Sequence, residues 1–214
     1  MKVNNKSKTI YSKKQIDKIN KKINLLGVNS KYNAITLLNV RLFGAIFIFL
    51  FILINYKYGY IFSIIIALLY YVLFEKVILE NKISKRRKKL NIEAIYFFEV
   101  LTLSLQTGRN LNEAISITIN SVDNDLSLEF REALRETKFR KSLTESLTDM
   151  QDRIPSDSIN NIVLALTQAN IYGSSIIDTM YNQVDYLREK RKMEVKATIS
   201  KVPTKISIIS VFFF

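Results

Sequence analysis

The chain has 214 residues, 48% of them hydrophobic, and its 32 basic and 19 acidic side chains leave a net charge of +13. It contains no histidine and no cysteine, which removes the usual neutral-pH base, the thiol nucleophile, disulfides and the common zinc ligands. Its five glycines (Gly27, Gly44, Gly59, Gly108, Gly173) are scattered, so there is no phosphate-cradling loop, and neither a cofactor nor an enzymatic activity is expected.

Residues 1–35 carry nine lysines and one acid, Asp17. Ile16, Ile19, Ile23 and Leu26 recur there at helical spacing among Lys13, Lys14, Lys18, Lys21 and Lys22. The pattern predicts a basic amphipathic arm lying on the inner membrane surface. A lysine-rich tail without order is the alternative.

Two apolar blocks follow, Leu42–Ile54 and Tyr60–Phe74, parted by Asn55-Tyr56-Lys57-Tyr58-Gly59. Extended to 36–56 and 60–79, each reaches the roughly 20 residues that span a hydrocarbon core. Arg41, Glu75 and Lys76 then sit near the membrane face, where long side chains reach water. Thirteen successive apolar residues leave no polar stripe, which argues against two buried helices of a soluble protein. Basic segments stay on the cytoplasmic side, so both flanks of this transmembrane hairpin are expected inside and Lys57 outside. Tyr56, Tyr58 and Tyr60 stand where an aromatic belt would hold the outer interface.

Residues 80–89 form a polybasic juxtamembrane linker in which Lys85, Arg86, Arg87, Lys88 and Lys89 face anionic lipid. Beyond it the balance reverses, with 12 basic and 16 acidic residues in 90–200. The positive excess therefore lies beside the membrane, and no nucleic-acid partner is expected.

Residues 90–200 read as six helices, with no sustained alternation to suggest a strand. The first, about 91–107, is apolar nearly all round apart from a stripe of Tyr96, Glu99, Thr102 and Gln106. Gly108 offers a left-handed C-cap, and Asn110 with Glu113 has capping-box spacing. The second, about 111–122, aligns Leu111, Ile115, Ile119 and Val122. Asp123-Asn124-Asp125 predicts a turn with an N-capping acid. A calcium loop is disfavoured because Leu128 and Leu134 occupy the positions of its glycine and its last acid.

The third helix, about 126–139, buries Phe130, Ala133, Leu134 and Thr137. Ser142 and Glu145 cap the fourth, which ends at Pro155. The fifth, about 158–171, presents Ile159, Ile162, Val163, Leu166 and Ala169. Gly173 and Ser175 close it and open the sixth. That last helix, from Ile176 to about Ser200, reads as a charged stalk returning to the membrane. A third apolar run begins after Pro203.

Phe97 through Ala114, Leu143 through Pro155 and Ala165 through Ser175 resemble, in that order, the type II secretion F domain. Leu187-Arg188-Glu189-Lys190-Arg191 with Lys201-Val202-Pro203 is similar to the family's exit toward its next membrane helix. With a single such domain behind a hairpin, the chain looks most like the Tad (tight adherence) pilus members, TadB and TadC. The resemblance implies an all-α, multi-pass protein of the cell inner membrane, with a cytoplasmic antiparallel six-helix bundle over 90–200. It implies no catalytic site, and as partners a hexameric secretion ATPase, pilin subunits, and a sibling F-domain protein or a second copy. Arg188, Glu189 and Arg191 are candidates for partner contact, with ordinary solvated helix pairs as the alternative. Residues 201–214 read as the start of a truncated third membrane helix, since family members continue through this segment. A membrane-anchored adaptor for a cytoplasmic partner or for anionic lipid is the alternative function.

Overall fold

The computed structural model describes residues 11–55, 59–172 and 176–213, with the side chains of residues 59–60 and 201–213 excepted. The described residues are helical and contain no strand. The helices are α1 (Lys13–Asn24), α2 (Ala34–Asn55), α3 (Gly59–Glu75), α4 (Asn81–Gln106), α5 (Leu111–Ser121), α6 (Asp125–Thr137), α7 (Leu143–Gln151), α8 (Asp157–Tyr172) and α9 (Ile176–Phe213). A π-helical turn, Lys76–Glu80, joins α3 to α4 without a break. The chain divides into two compact units. One holds residues 1–88 with Gln151–Pro155, and the other holds Lys89–Met150 with 156–214.

In the first unit, α2 and the helix that begins with α3 are each long and apolar enough to cross a membrane. Their large side chains face outward: Phe47 is 68% exposed and Ile54 78%. Apolar surface of this extent in water marks a membrane or protein contact. The two helices approach closely at Gly44, where a Cβ would clash with the Tyr70 ring and hydroxyl.

Helix α1 departs from the surface-lying arm that its pattern suggests. Ile19 and Ile23 are buried in a core with Ala34, Leu37, Leu38, Leu79 and Ile83, and Ile16 and Leu26 pack at its edge. The apolar stripe is satisfied by protein, so it is not available to lipid. Lys22 fixes the helix further, with ion pairs of 2.7 Å to Glu75 and 2.9 Å to Glu80. Those two acids are five residues apart and diverge on an α-helix. The i→i+5 bonding of the π turn brings them to one side, where a single ammonium bridges both.

The stretch read as a linker over 80–89 is the first part of α4, and the helix placed at 91–107 is its continuation. Lysine and arginine are good helix formers, and no glycine or proline interrupts the run. Its arginines serve the protein. Arg86 donates to the carbonyls of Leu25 (2.9 Å) and Arg153 (2.6 Å), and Arg87 donates to that of Pro155 (2.6 Å). These bonds hold the α7–α8 connector in the first unit.

The second unit is built on Phe97, Phe98 and Phe130. Phe97 stacks on Phe130 at 4.6 Å, and Phe98 meets both rings edge-on at 5.5 and 6.1 Å. Leu101, Ile115, Leu126, Met150, Ile159 and Leu166 close the core around them. Thr102, assigned above to a polar stripe, is buried and donates its hydroxyl to the Phe98 carbonyl at 2.6 Å. Buried hydroxyls on helices are commonly satisfied in this way.

Helix ends follow local side-chain chemistry. Gly108 takes φ +78°, and the Asn110 side chain accepts the Glu113 N–H at 2.9 Å. At α6 the cap is Asn124, which accepts the Ser127 N–H at 2.8 Å, and not either flanking acid. Asp125 instead pairs with Lys89 at 2.7 Å. Gly173 and Ser175 lie outside the described residues, as do Tyr56, Lys57 and Tyr58. Helix α9 runs through Pro203 to Phe213, so the stalk and the following apolar run are one helix.

Ser142 and Glu145 form a reciprocal box. The Ser142 N–H donates to the Glu145 carboxylate at 2.9 Å, and the Glu145 N–H donates to the Ser142 hydroxyl at 3.1 Å. The bond from the Ser142 backbone, then that from its side chain, holds the Glu145 carboxyl below its ordinary value. A depressed folded value stabilises above the unfolded carboxylate pKa, and the gain disappears as pH falls through the folded one. Amide-exchange protection along α7 should therefore weaken on acidification. Glu145→Gln should remove that dependence, and Ser142→Ala should cost about 1 kcal/mol.

Candidate functional site

The three charged positions singled out on α9 have different surroundings. Arg188 reaches across to α4, where its guanidinium meets the Glu99 carboxylate at 2.8 and 3.0 Å, and it also touches Asp185 at 3.3 Å. The Glu99 bond raises the guanidinium pKa further. Glu189 pairs with Lys192 at 2.7 Å, and this bond lowers the Glu189 carboxyl below its ordinary value. Arg191 pairs with Glu194 at 3.6 Å. The latter two are exposed pairs three residues apart, of the kind that contributes little to stability.

Beside the Arg188–Glu99 pair lies a groove of about 180 Å³ between α4 and α9, lined by Thr102, Leu103, Tyr181 and Val184. Leu103 and Tyr181 are exposed there, and Ile92 and Tyr96 continue the apolar stripe along α4. The groove offers a polar bridge flanked by apolar surface, which suits a transient protein contact. Its charged groups, Glu99, Asp185 and Arg188, are paired with one another. Among the described residues no group of three or more His, Cys, Asp or Glu could hold a metal ion.

The basic run divides as well. Arg86 and Arg87 bind backbone carbonyls, and Lys89 sits between Glu93 (3.6 Å) and Asp125 (2.7 Å). Lys85 and Lys88 are exposed. The other proposed cap, Pro155, is buried between α7 and α8.

Two groupings escaped the sequence reading. Arg41 donates to the Tyr71 carbonyl at 2.8 Å, lies 3.7 Å over the Tyr71 ring and pairs with Glu75 at 3.3 Å. The spacing of Arg41 and Glu75 on two antiparallel apolar segments was the available signal. At the α6–α7 turn, Arg140 has φ +69° and Phe139 is 75% exposed, beside a cavity of about 420 Å³. No sequence signal marks that tip, because nothing but its position distinguishes Phe139 from a core phenylalanine.

No curated protein and no solved structure matches this chain. Residues 97–214 match the family described as type II secretion system (T2SS), protein F. The match begins at the core residue Phe97 and covers α5 to α9 with the C-terminal end of α4. Over half of the chain lies within it, and the chain belongs to the type II secretion protein F family, whose members are non-enzymatic platform components of inner-membrane secretion and pilus systems.

Proposed function

We propose that the chain is the inner-membrane platform of a Tad-type pilus or a related secretion machine, coupling a cytoplasmic secretion ATPase to pilin extraction and assembly. The observation that supports this reading is the unbroken helix from Gly59 to Gln106. The helix begins as an apolar membrane-type segment and ends among the core residues of the F domain, so the two are joined by one continuous helical backbone. In this reading residues 90–200 and the N-terminus face the cytoplasm, and the chain assembles with itself or with a sibling F-domain protein. Arg188 acts as a strut between α9 and α4, while Glu189 and Arg191 face the ATPase.

Deletion of the gene should abolish surface pili, and the full chain purified from membranes should retain the cognate ATPase. Normal pili together with no ATPase retention would leave the membrane-anchored adaptor as the better reading. The double charge reversal Glu189→Lys with Arg191→Glu should lower ATPase retention severalfold without changing thermal stability, because both side chains are exposed. A cysteine at Lys57 should react with a membrane-impermeant thiol reagent from the outer side; labelling only after lysis would invert the topology.

A further inference from the structure

The first unit has a basic surface that its packing uses only in part. Residues 11–88 hold fourteen basic side chains against three acids, Asp17, Glu75 and Glu80. Two of those acids are already engaged by Lys22, and Glu75 also by Arg41. On α1, burial of Ile19 and Ile23 and the bridge from Lys22 set the rotation of the helix about its own axis. Lys14, Lys18 and Lys21, at i, i+4 and i+7, then share the opposite face, with the exposed Asp17 as the one acid beside them on α1. All three are exposed, Lys18 by 68%, and its only acid within reach among the described residues is Glu75, at 3.8 Å.

The height of this stripe follows from what α1 packs against. Ala34, Leu37 and Leu38 are the first turns of α2, and Leu79 and Ile83 follow the end of α3. Outward-facing apolar side chains begin just beyond, at Val40 and Phe43. If α2 and α3 cross a bilayer, this packing places α1 near the level where hydrocarbon gives way to headgroups.

We propose that Lys14, Lys18 and Lys21 form a preorganised stripe that binds acidic phospholipid headgroups of the bilayer around α2 and α3. The proposal rests on the membrane reading of that hairpin. It differs from an inserting amphipathic helix in having no apolar face to offer, so the contact is electrostatic alone. Such contacts strengthen roughly fivefold per lysine near an anionic surface and fade with salt.

The test uses the full chain in lipid nanodiscs of phosphatidylcholine, with or without phosphatidylglycerol. Acylation of each lysine by an amine-reactive reagent is followed by mass spectrometry, with the exposed Lys138 as control. Lys14, Lys18 and Lys21 should react severalfold more slowly in the anionic discs at low salt, and the difference should vanish at about 1 M salt, where the screening length is about 3 Å. Equal rates in both lipids would overturn the stripe, as they would if its partner were an acidic protein. Protection that survives high salt would also overturn it, since that signifies insertion. Failure of the chain to enter discs at all would instead refute the membrane hairpin beneath the proposal.

Discussion

Phe130→Ala is expected to destabilise the second unit by about 3–5 kcal/mol, the range for removing a fully buried aromatic side chain. Its ring is fully buried, stacks on Phe97 and meets Phe98 edge-on, so truncation removes contacts to both and opens a cavity that neither fixed neighbour can fill. The three rings come from two segments, Phe97 and Phe98 on α4 and Phe130 on α6. Losing one therefore loosens the junction between these helices and not a single turn. Phe130→Leu, which keeps most of the volume, should cost less than half as much. With no tryptophan in the chain, the measurement is helical circular dichroism during denaturation of the detergent-solubilised protein. A loss within 1 kcal/mol for the alanine variant would show that this cluster is not the keystone of the unit.

Glu75→Ala carries the second large effect. The carboxylate meets Lys22 at 2.7 Å, Arg41 at 3.3 Å and Lys18 at 3.8 Å, and only 14% of its side chain is exposed. Without it, Arg41 keeps the Tyr71 carbonyl and ring but no counter-charge, in a site that is only half open to water. The pair is half-buried, so removing its acid should cost about 2–3 kcal/mol, less than the loss of a fully buried partner, because the other charge stays partly desolvated. The double variant Glu75→Ala with Arg41→Met should recover much of that loss. Midpoints of unfolding in a detergent titration would compare the three proteins. Single and double variants of equal stability would show that Arg41 finds enough solvent without its acid.

The helical content and much of the core were legible because apolar side chains recur at the helical period. Leu111, Ile115 and Ile119 on α5, and Ile159, Ile162 and Leu166 on α8, are buried where that period places them. The identity of the surface that covers an apolar stripe was not legible. Ile16, Ile19 and Ile23 satisfy the same periodicity whether they meet lipid or the side chains of Leu37 and Leu79. Only the tertiary structure distinguishes the two.

Chain continuity was hidden for a related reason. The change from apolar to basic residues after Glu80 looks like a boundary, yet backbone hydrogen bonding continues through it, since lysine and arginine favour helix. On α9, sequence marked Arg188, Glu189 and Arg191 alike. The difference among them depends on Glu99, which lies 89 residues from Arg188.

The bonds made by Arg86 and Arg87 have an evolutionary consequence. Both arginines grip main-chain oxygens, at Leu25, Arg153 and Pro155, and every residue carries such an oxygen. Selection on the attachment of the α7–α8 connector therefore acts on the two donors and spares the side chains at 25 and 153. Among related chains, positions 86 and 87 should vary little, whereas 25 and 153 should drift within the limits set by their own packing.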